Sequence, residues 1–128
     1  MEVYFGGAYQ GKLDYVLAAS KAKRVIDGAI CSVEEAENAQ VLNHLHLLVK
    51  RYLKAGKNTE KLIDELYAYN KNIILICDEV GSGIVPIERE DRVYRETVGR
   101  LLCEAVKKSE RVERVICGIG QCLKTNNI

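Results

Sequence analysis

Seven consecutive residues, Gly6-Gly7-Ala8-Tyr9-Gln10-Gly11-Lys12, fit the first seven positions of the phosphate-binding pattern GxxxxGK[ST]. Glycines let a backbone curl until successive N–H groups point inward at phosphate oxygens. The positive end of a following helix adds to the attraction. Lys12 then reaches the outer phosphates of a nucleotide. The eighth position is Leu13, where a Ser or Thr hydroxyl ordinarily contacts magnesium. The pattern therefore predicts binding of ATP or GTP, with one usual support of phosphoryl transfer missing.

Acids follow at two further places. Asp27 closes the short run Val25-Ile26, and Asp78-Glu79 close a longer apolar run. An apolar strand ending in Asp-Glu resembles the Walker B pattern, in which the aspartate supports Mg2+ and the glutamate orients water. Asp27 or Asp78 is the expected magnesium residue, and Glu79 joins Lys12 as a catalytic candidate. The plainer reading is that strand-end acids cap turns and helix starts.

Placing these residues together requires strands alternating with helices. Residues 2–5 read as a strand, and residues 13–22 as a helix with Leu13, Val16 and Leu17 on one face. Residues 24–28 read as a second strand. Ser32 and Glu35 form a capping-box pair, opening a helix expected to run to about Ala55 and stop at Gly56. Its face would be Val41, Leu42, Leu45, Leu48, Val49 and Tyr52. A further helix starts near Asn58.

Residues 72–77 are continuously apolar, as in a strand covered on both faces. A charged helix follows over residues 88–109, then a last strand over 112–117. The expected fold is α/β, a three-layer P-loop-type domain with a mainly parallel sheet of about four or more strands. Residues 1–128 read as one domain with no repeat, linker or low-complexity stretch. Ligands of such sheets sit at the carboxyl ends of the strands.

His44 and His46 fall two residues apart within the long expected helix, where they would point about 200° from each other and could share neither a metal nor a nucleophile site. Both read as structural. Five cysteines, with Cys77 and Cys117 in apolar runs and Cys103 in a helical pattern, read as buried free thiols of a reducing cytosol. Cys117 and Cys122 lack CxxC spacing and a second pair, so no zinc site is expected. The formal net charge of +1 gives no long-range attraction to nucleic acid or anionic membrane. Met1-Glu2-Val3-Tyr4-Phe5 lacks a secretory signal pattern, and no run approaches membrane-span length. A cytoplasmic protein is expected.

Asp78-Glu79-Val80-Gly81-Ser82-Gly83-Ile84-Val85-Pro86, together with the loop at 6–12, resembles the bifunctional adenosylcobinamide kinase/adenosylcobinamide-phosphate guanylyltransferase family of cobalamin biosynthesis. That family carries a close relative of N-E-V-G-x-G-I-V-P after an apolar strand, then a helix with spaced arginines and a Gly-Arg pair. Arg89, Arg92, Arg95 and Gly99-Arg100 fall at matching places, and residues 115–124 resemble its last strand. The resemblance implies nucleotide contacts for residues 6–13, Arg92 and Arg95. It further implies cobinamide as acceptor, Mg2+ with ATP or GTP, and a homo-oligomer, with trimers as precedent.

Departures from the family are specific. Tyr9, Gln10 and Leu13 replace more usual loop residues, Asp78 replaces an asparagine, and Leu102-Cys103 replaces an Asn-Gln pair. The segment bearing the family's GMP-accepting histidine has no counterpart when residues 25–27 are placed on the family's acidic strand, which argues against guanylyl transfer. Without the resemblance, arginines interleaved with Glu88, Glu90, Asp91 and Glu96 read as a solvated, salt-bridged helix. Two alternatives stay open: a nucleotide-binding or interaction protein without turnover, and a P-loop ATPase using Asp78 and Glu79.

Overall fold

The structure, a computed structural model, describes residues 1–22, 24–80 and 88–126. Three short strands with apolar side chains on both faces occupy the middle of its sheet: β1 (Glu2–Gly6), β3 (Val41–Asn43) and β4 (Ile74–Asp78). Period-2 alternation sends Val3, Leu75 and Cys77 to one face and Tyr4, Ile74 and Ile76 to the other. Both sets are buried. This double coverage explains why β4 reads as an unbroken apolar run.

Beyond these lie β2 (Val25–Asp27), β5 (Arg111–Ile116) and β6 (Ile119–Thr125). The order across the sheet is β2-β3-β4-β1-β5-β6. All neighbours are parallel except β5 and β6. Four helices pack their apolar faces on one side: α2 (Val33–Glu37), α3 (Leu45–Lys54), α4 (Leu62–Tyr69) and α5 (Arg89–Lys108). Leu45, Leu48, Ile63, Leu66, Val98 and Leu101 share this larger core with the sheet. The helix α1 (Lys12–Ala19) covers the other side through Val16 and Leu13. The result is the expected three-layer α/β architecture.

Two elements differ from the sequence expectation. The single helix over residues 32–55 is in fact α2, β3 and α3. The Ser32–Glu35 capping box is present, but α2 ends at Glu37. Val41 and Leu42, expected on a helix face, instead lie in β3 and pair with Ile74 and Leu75. Their spacing to Leu45 and Leu48 imitates a helical repeat because the two apolar residues of a three-residue strand precede an amphipathic helix. His44 separates them with a left-handed backbone, φ 57° and ψ 46°.

The second difference is β6, which returns antiparallel after Cys117 and Gly118. Both turn residues have positive φ (50° and 77°), the requirement of a two-residue hairpin turn whose twist matches the strands. The thiols also differ from expectation. Cys31 and Cys77 are buried, whereas Cys103, Cys117 and Cys122 are exposed. The α5 and hairpin positions face solvent because β6 is an edge strand and Cys103 lies on the outer side of its helix. Among the described residues, no helix is long and apolar enough to cross a membrane.

Candidate functional site

The register of β1 against β4 sets Gly6 opposite Asp78, both at the carboxyl ends of their strands. Chain leaving β1 must turn at once, because β5 stands on its other side. A side chain at Gly6 would place its Cβ 2.4 Å from the Val115 carbonyl oxygen, so only glycine fits. Tyr9 and Gly11 then take positive φ, 59° and 80°. The curled segment delivers residue 12 to the start of α1. Gly11 caps that helix with no side-chain hydrogen bond, leaving its first N–H groups without a side-chain acceptor.

The hairpin turn fastens the outside of this loop. Cys117 N–H donates to Gln10 Oε1 at 2.7 Å, and Gly118 N–H donates to the Gln10 carbonyl at 2.8 Å. Tyr9 projects fully into solvent. Leu13 is half-buried and packs against the cluster that includes Tyr4, Val16 and Ile76. Tyr9 therefore does not plug the loop interior.

Lys12 is 7% exposed. Its ammonium donates to the Gly7 carbonyl at 2.7 Å and pairs with Asp78 Oδ1 at 2.7 Å. A buried cation needs such partners to offset its lost hydration. The other Asp78 oxygen, Oδ2, lies 3.3 Å from His46 Nε2. The Asp78 backbone N–H donates to His46 Nδ1 at 3.1 Å. Since Nδ1 accepts, the proton of neutral His46 sits on Nε2, facing the carboxylate. Burial pushes the His46 pKa down, against the pull of Asp78, and the neutral ring is the form these bonds require.

His44 takes the opposite arrangement. Its Nδ1 lies 2.8 Å from Asp27 Oδ1. The same oxygen accepts the Ala29 N–H at 2.9 Å. The Ala29 bond and then the His44 bond hold the Asp27 carboxyl below the usual carboxylate range, so Asp27 accepts and His44 Nδ1 donates. The two imidazoles meet edge to face with centroids 5.7 Å apart. Sequence reasoning had put them on opposite sides of one helix. The left-handed residue between β3 and α3 instead turns both toward the loop. A cavity of about 530 Å³ is lined by Ala8, Gly11, Lys12, Asn43, His44 and Asp78, among others.

The remaining candidates lie apart. Asp27 ends β2, which β3 separates from β4, a span of about 10 Å at ordinary strand spacing. Glu79 extends the β1–β4 edge through its N–H to the Gly6 carbonyl at 2.8 Å. Its carboxylate faces Arg114 on β5, with Oε1 3.0 Å from Nε and Oε2 accepting from Nη2 at 3.2 Å. The Nε contact is an ion pair without hydrogen-bond alignment. Arg92 and Arg95 lie on α5, outside the lining of the Lys12 cavity. Residues 81–86 of the glycine-rich motif lie outside the described residues.

Magnesium at nucleotide sites is held by one or two carboxylates together with the phosphates themselves. Asp78 supplies one such carboxylate beside the loop. Among the described residues, no group of three or more His, Cys, Asp or Glu side chains forms a ready-made metal cage.

The model of a family described as cobinamide kinase / cobinamide phosphate guanyltransferase matches residues 16–123. That span begins within α1, beyond the loop, and ends within β6. No curated protein matches the chain.

Proposed function

The chain belongs to the cobinamide kinase / cobinamide phosphate guanyltransferase family, and we propose on that footing that it binds ATP or GTP over residues 6–13 and transfers the γ-phosphoryl group to a hydroxyl of cobinamide. The observation that carries this reading is Lys12, held beneath its own loop by Gly7 and Asp78 at 2.7 Å each. A buried ammonium aimed at a concave run of glycine backbone suits a chain of phosphates.

In this scheme the amides of residues 6–13 and Lys12 hold the β- and γ-phosphates, and we assign the magnesium position to Asp78 rather than Asp27. Asp78 would hold the ion, which would supply charge neutralisation of the phosphates. Glu79, fixed by Arg114 next to Asp78, orients the acceptor. Arg92 and Arg95 serve the nucleotide or corrinoid from α5, in a homo-oligomer of the family's trimeric kind.

Catalysis then rests on positioning and charge stabilisation. Incubation with γ-labelled ATP or GTP, magnesium and cobinamide tests it through formation of labelled cobinamide phosphate. Nucleotide binding with no labelled product would favour the second reading, a binding protein without turnover. One observation supports that alternative: the hydroxyl position is Leu13, a half-buried apolar side chain packed against the core on the α1 side.

A further inference from the structure

We propose that His44, held by Asp27, is the acid–base residue of this site. The inference rests on the phosphoryl-transfer reading above and adds to it a residue that no sequence pattern assigned.

Three observations carry it. The first is the contrast between two histidines two residues apart. Both ring nitrogens of His46 are engaged by Asp78, one by its N–H and one beside its carboxylate. Among the described residues, only Nδ1 of His44 is engaged, by Asp27 at 2.8 Å. With Nδ1–H donating to a carboxylate, the lone pair of neutral His44 resides on Nε2. The side chain is 40% exposed and lines the same cavity as Lys12, the loop and Asp78.

The second is the backbone. His44 is one of three non-glycine residues with positive φ among the described residues. Strain of this kind persists where the surroundings over-determine it, and it concentrates at functional sites. The third is how that conformation is enforced. Gly28, which follows Asp27, donates its N–H to the Asn43 carbonyl at 2.8 Å. It also packs so closely that a Cβ there would lie 2.5 Å from the His44 carbonyl oxygen. The ends of β2 and β3 are thus locked together, and Asp27 and His44 with them. A base oriented by a carboxylate on a neighbouring strand is the arrangement that acid–base chemistry requires.

The step balances without a further reactant. The acceptor hydroxyl oxygen forms a bond to the γ-phosphorus while the bond from that phosphorus to the β–γ bridging oxygen breaks. The hydroxyl proton passes to His44 Nε2, the nucleoside diphosphate leaves with the bond electrons, and the proton is returned to water.

The test uses the full chain and the variants His44→Asn and Asp27→Asn. Asparagine tolerates the left-handed backbone at position 44, so the first variant retains the fold. Measured quantities are transfer from labelled ATP or GTP to cobinamide, nucleotide Kd, and the His44 tautomer from long-range nitrogen–proton NMR correlations. The expected result for His44→Asn is a fall in kcat of about 100-fold, with nucleotide Kd unchanged within about twofold and partial rescue by added imidazole. Asp27→Asn should scramble the His44 tautomer and lower kcat by a smaller factor. Wild-type transfer that His44→Asn leaves at full rate would overturn this inference and spare the proposed function. Loss of nucleotide affinity matching the loss of rate would overturn it too, making His44 a binding residue. Nucleotide binding without transfer by the wild-type chain would overturn both readings of turnover together.

Discussion

Lys12 Nζ stands 2.7 Å from Asp78 Oδ1, and the two residues come from opposite sides of the β1–β4 pair. The contact links the loop after β1 to the end of β4. It gives a nearly buried ammonium a carboxylate partner. Removing the carboxylate leaves that cation with the Gly7 carbonyl as its principal partner. Breaking a buried pair costs about 3–5 kcal/mol, and Asp78 is 24% exposed, so Asp78→Ala should destabilise the fold by roughly 2–3 kcal/mol. Urea unfolding followed by circular dichroism measures this, and an unchanged midpoint would mean that the pair is solvent-screened.

Leu13 offers a gain-of-function test. Leu13→Ser restores the hydroxyl that phosphate loops present to magnesium, while removing a half-buried leucine from the smaller core. Stability should fall by about 1–2 kcal/mol, yet phosphoryl transfer should become faster. A variant that is both less stable and no faster would show that the leucine is not what limits the rate.

Two glycines should respond oppositely to alanine. Gly6→Ala drives a methyl into the Val115 carbonyl at 2.4 Å and should cost roughly 2–4 kcal/mol by forcing β1 and β5 apart. Gly99 lies in α5, with nothing within 4 Å of an added Cβ. Gly99→Ala should therefore stabilise the helix by about 0.5–1 kcal/mol. Paired denaturation curves check both signs.

The cysteines should separate by reactivity. Cys103, Cys117 and Cys122 are exposed and should alkylate in the native protein, whereas Cys31 and Cys77 should label only after unfolding. Burial pushes the Cys77 pKa from 9.0 to about 12. The neutral thiol is thus the folded form. Its contribution to stability is complete below pH 9 and is lost as pH climbs from there toward 12. Mass spectrometry of the native protein at pH 8 and pH 9.5 should count three fast labels at both, with faster labelling at the higher pH.

Sequence made some of these features legible and concealed others for physical reasons. The loop at residues 6–12 and the doubly covered strand β4 announce themselves because glycine placement and unbroken apolarity each have a single structural cause. The capping box at Ser32 is similarly local. β3 was hidden because Val41 and Leu42, in a three-residue strand, sit at helical spacing from Leu45 and Leu48. The length of the expected helix, 24 residues, was the available warning, since helices average about 11–12 residues.

Missing β3 also concealed the site. His44 acquires its position from a left-handed residue at a strand–helix junction, and Asp27 becomes its partner only through the β2–β3 register. Neither relationship leaves a periodic trace. β6 was missed because its residues are largely exposed, as in an edge strand lacking the alternating pattern. Cys117-Gly118 was the one local signal, since it supplies the two positive-φ residues of the turn.

The central claim is that residues 6–13 grip a chain of phosphates with Lys12 at its centre. Titrating the folded protein with ATP and with GTP by calorimetry, with and without magnesium, tests this most directly. The account predicts saturable one-to-one binding of at least one nucleotide, weakened about 10–100-fold by Lys12→Met as expected for loss of a charge-assisted contact of about 1.5–3 kcal/mol. Absence of heat with either nucleotide from a wild-type chain of native circular dichroism would contradict it, as would equal affinity in Lys12→Met.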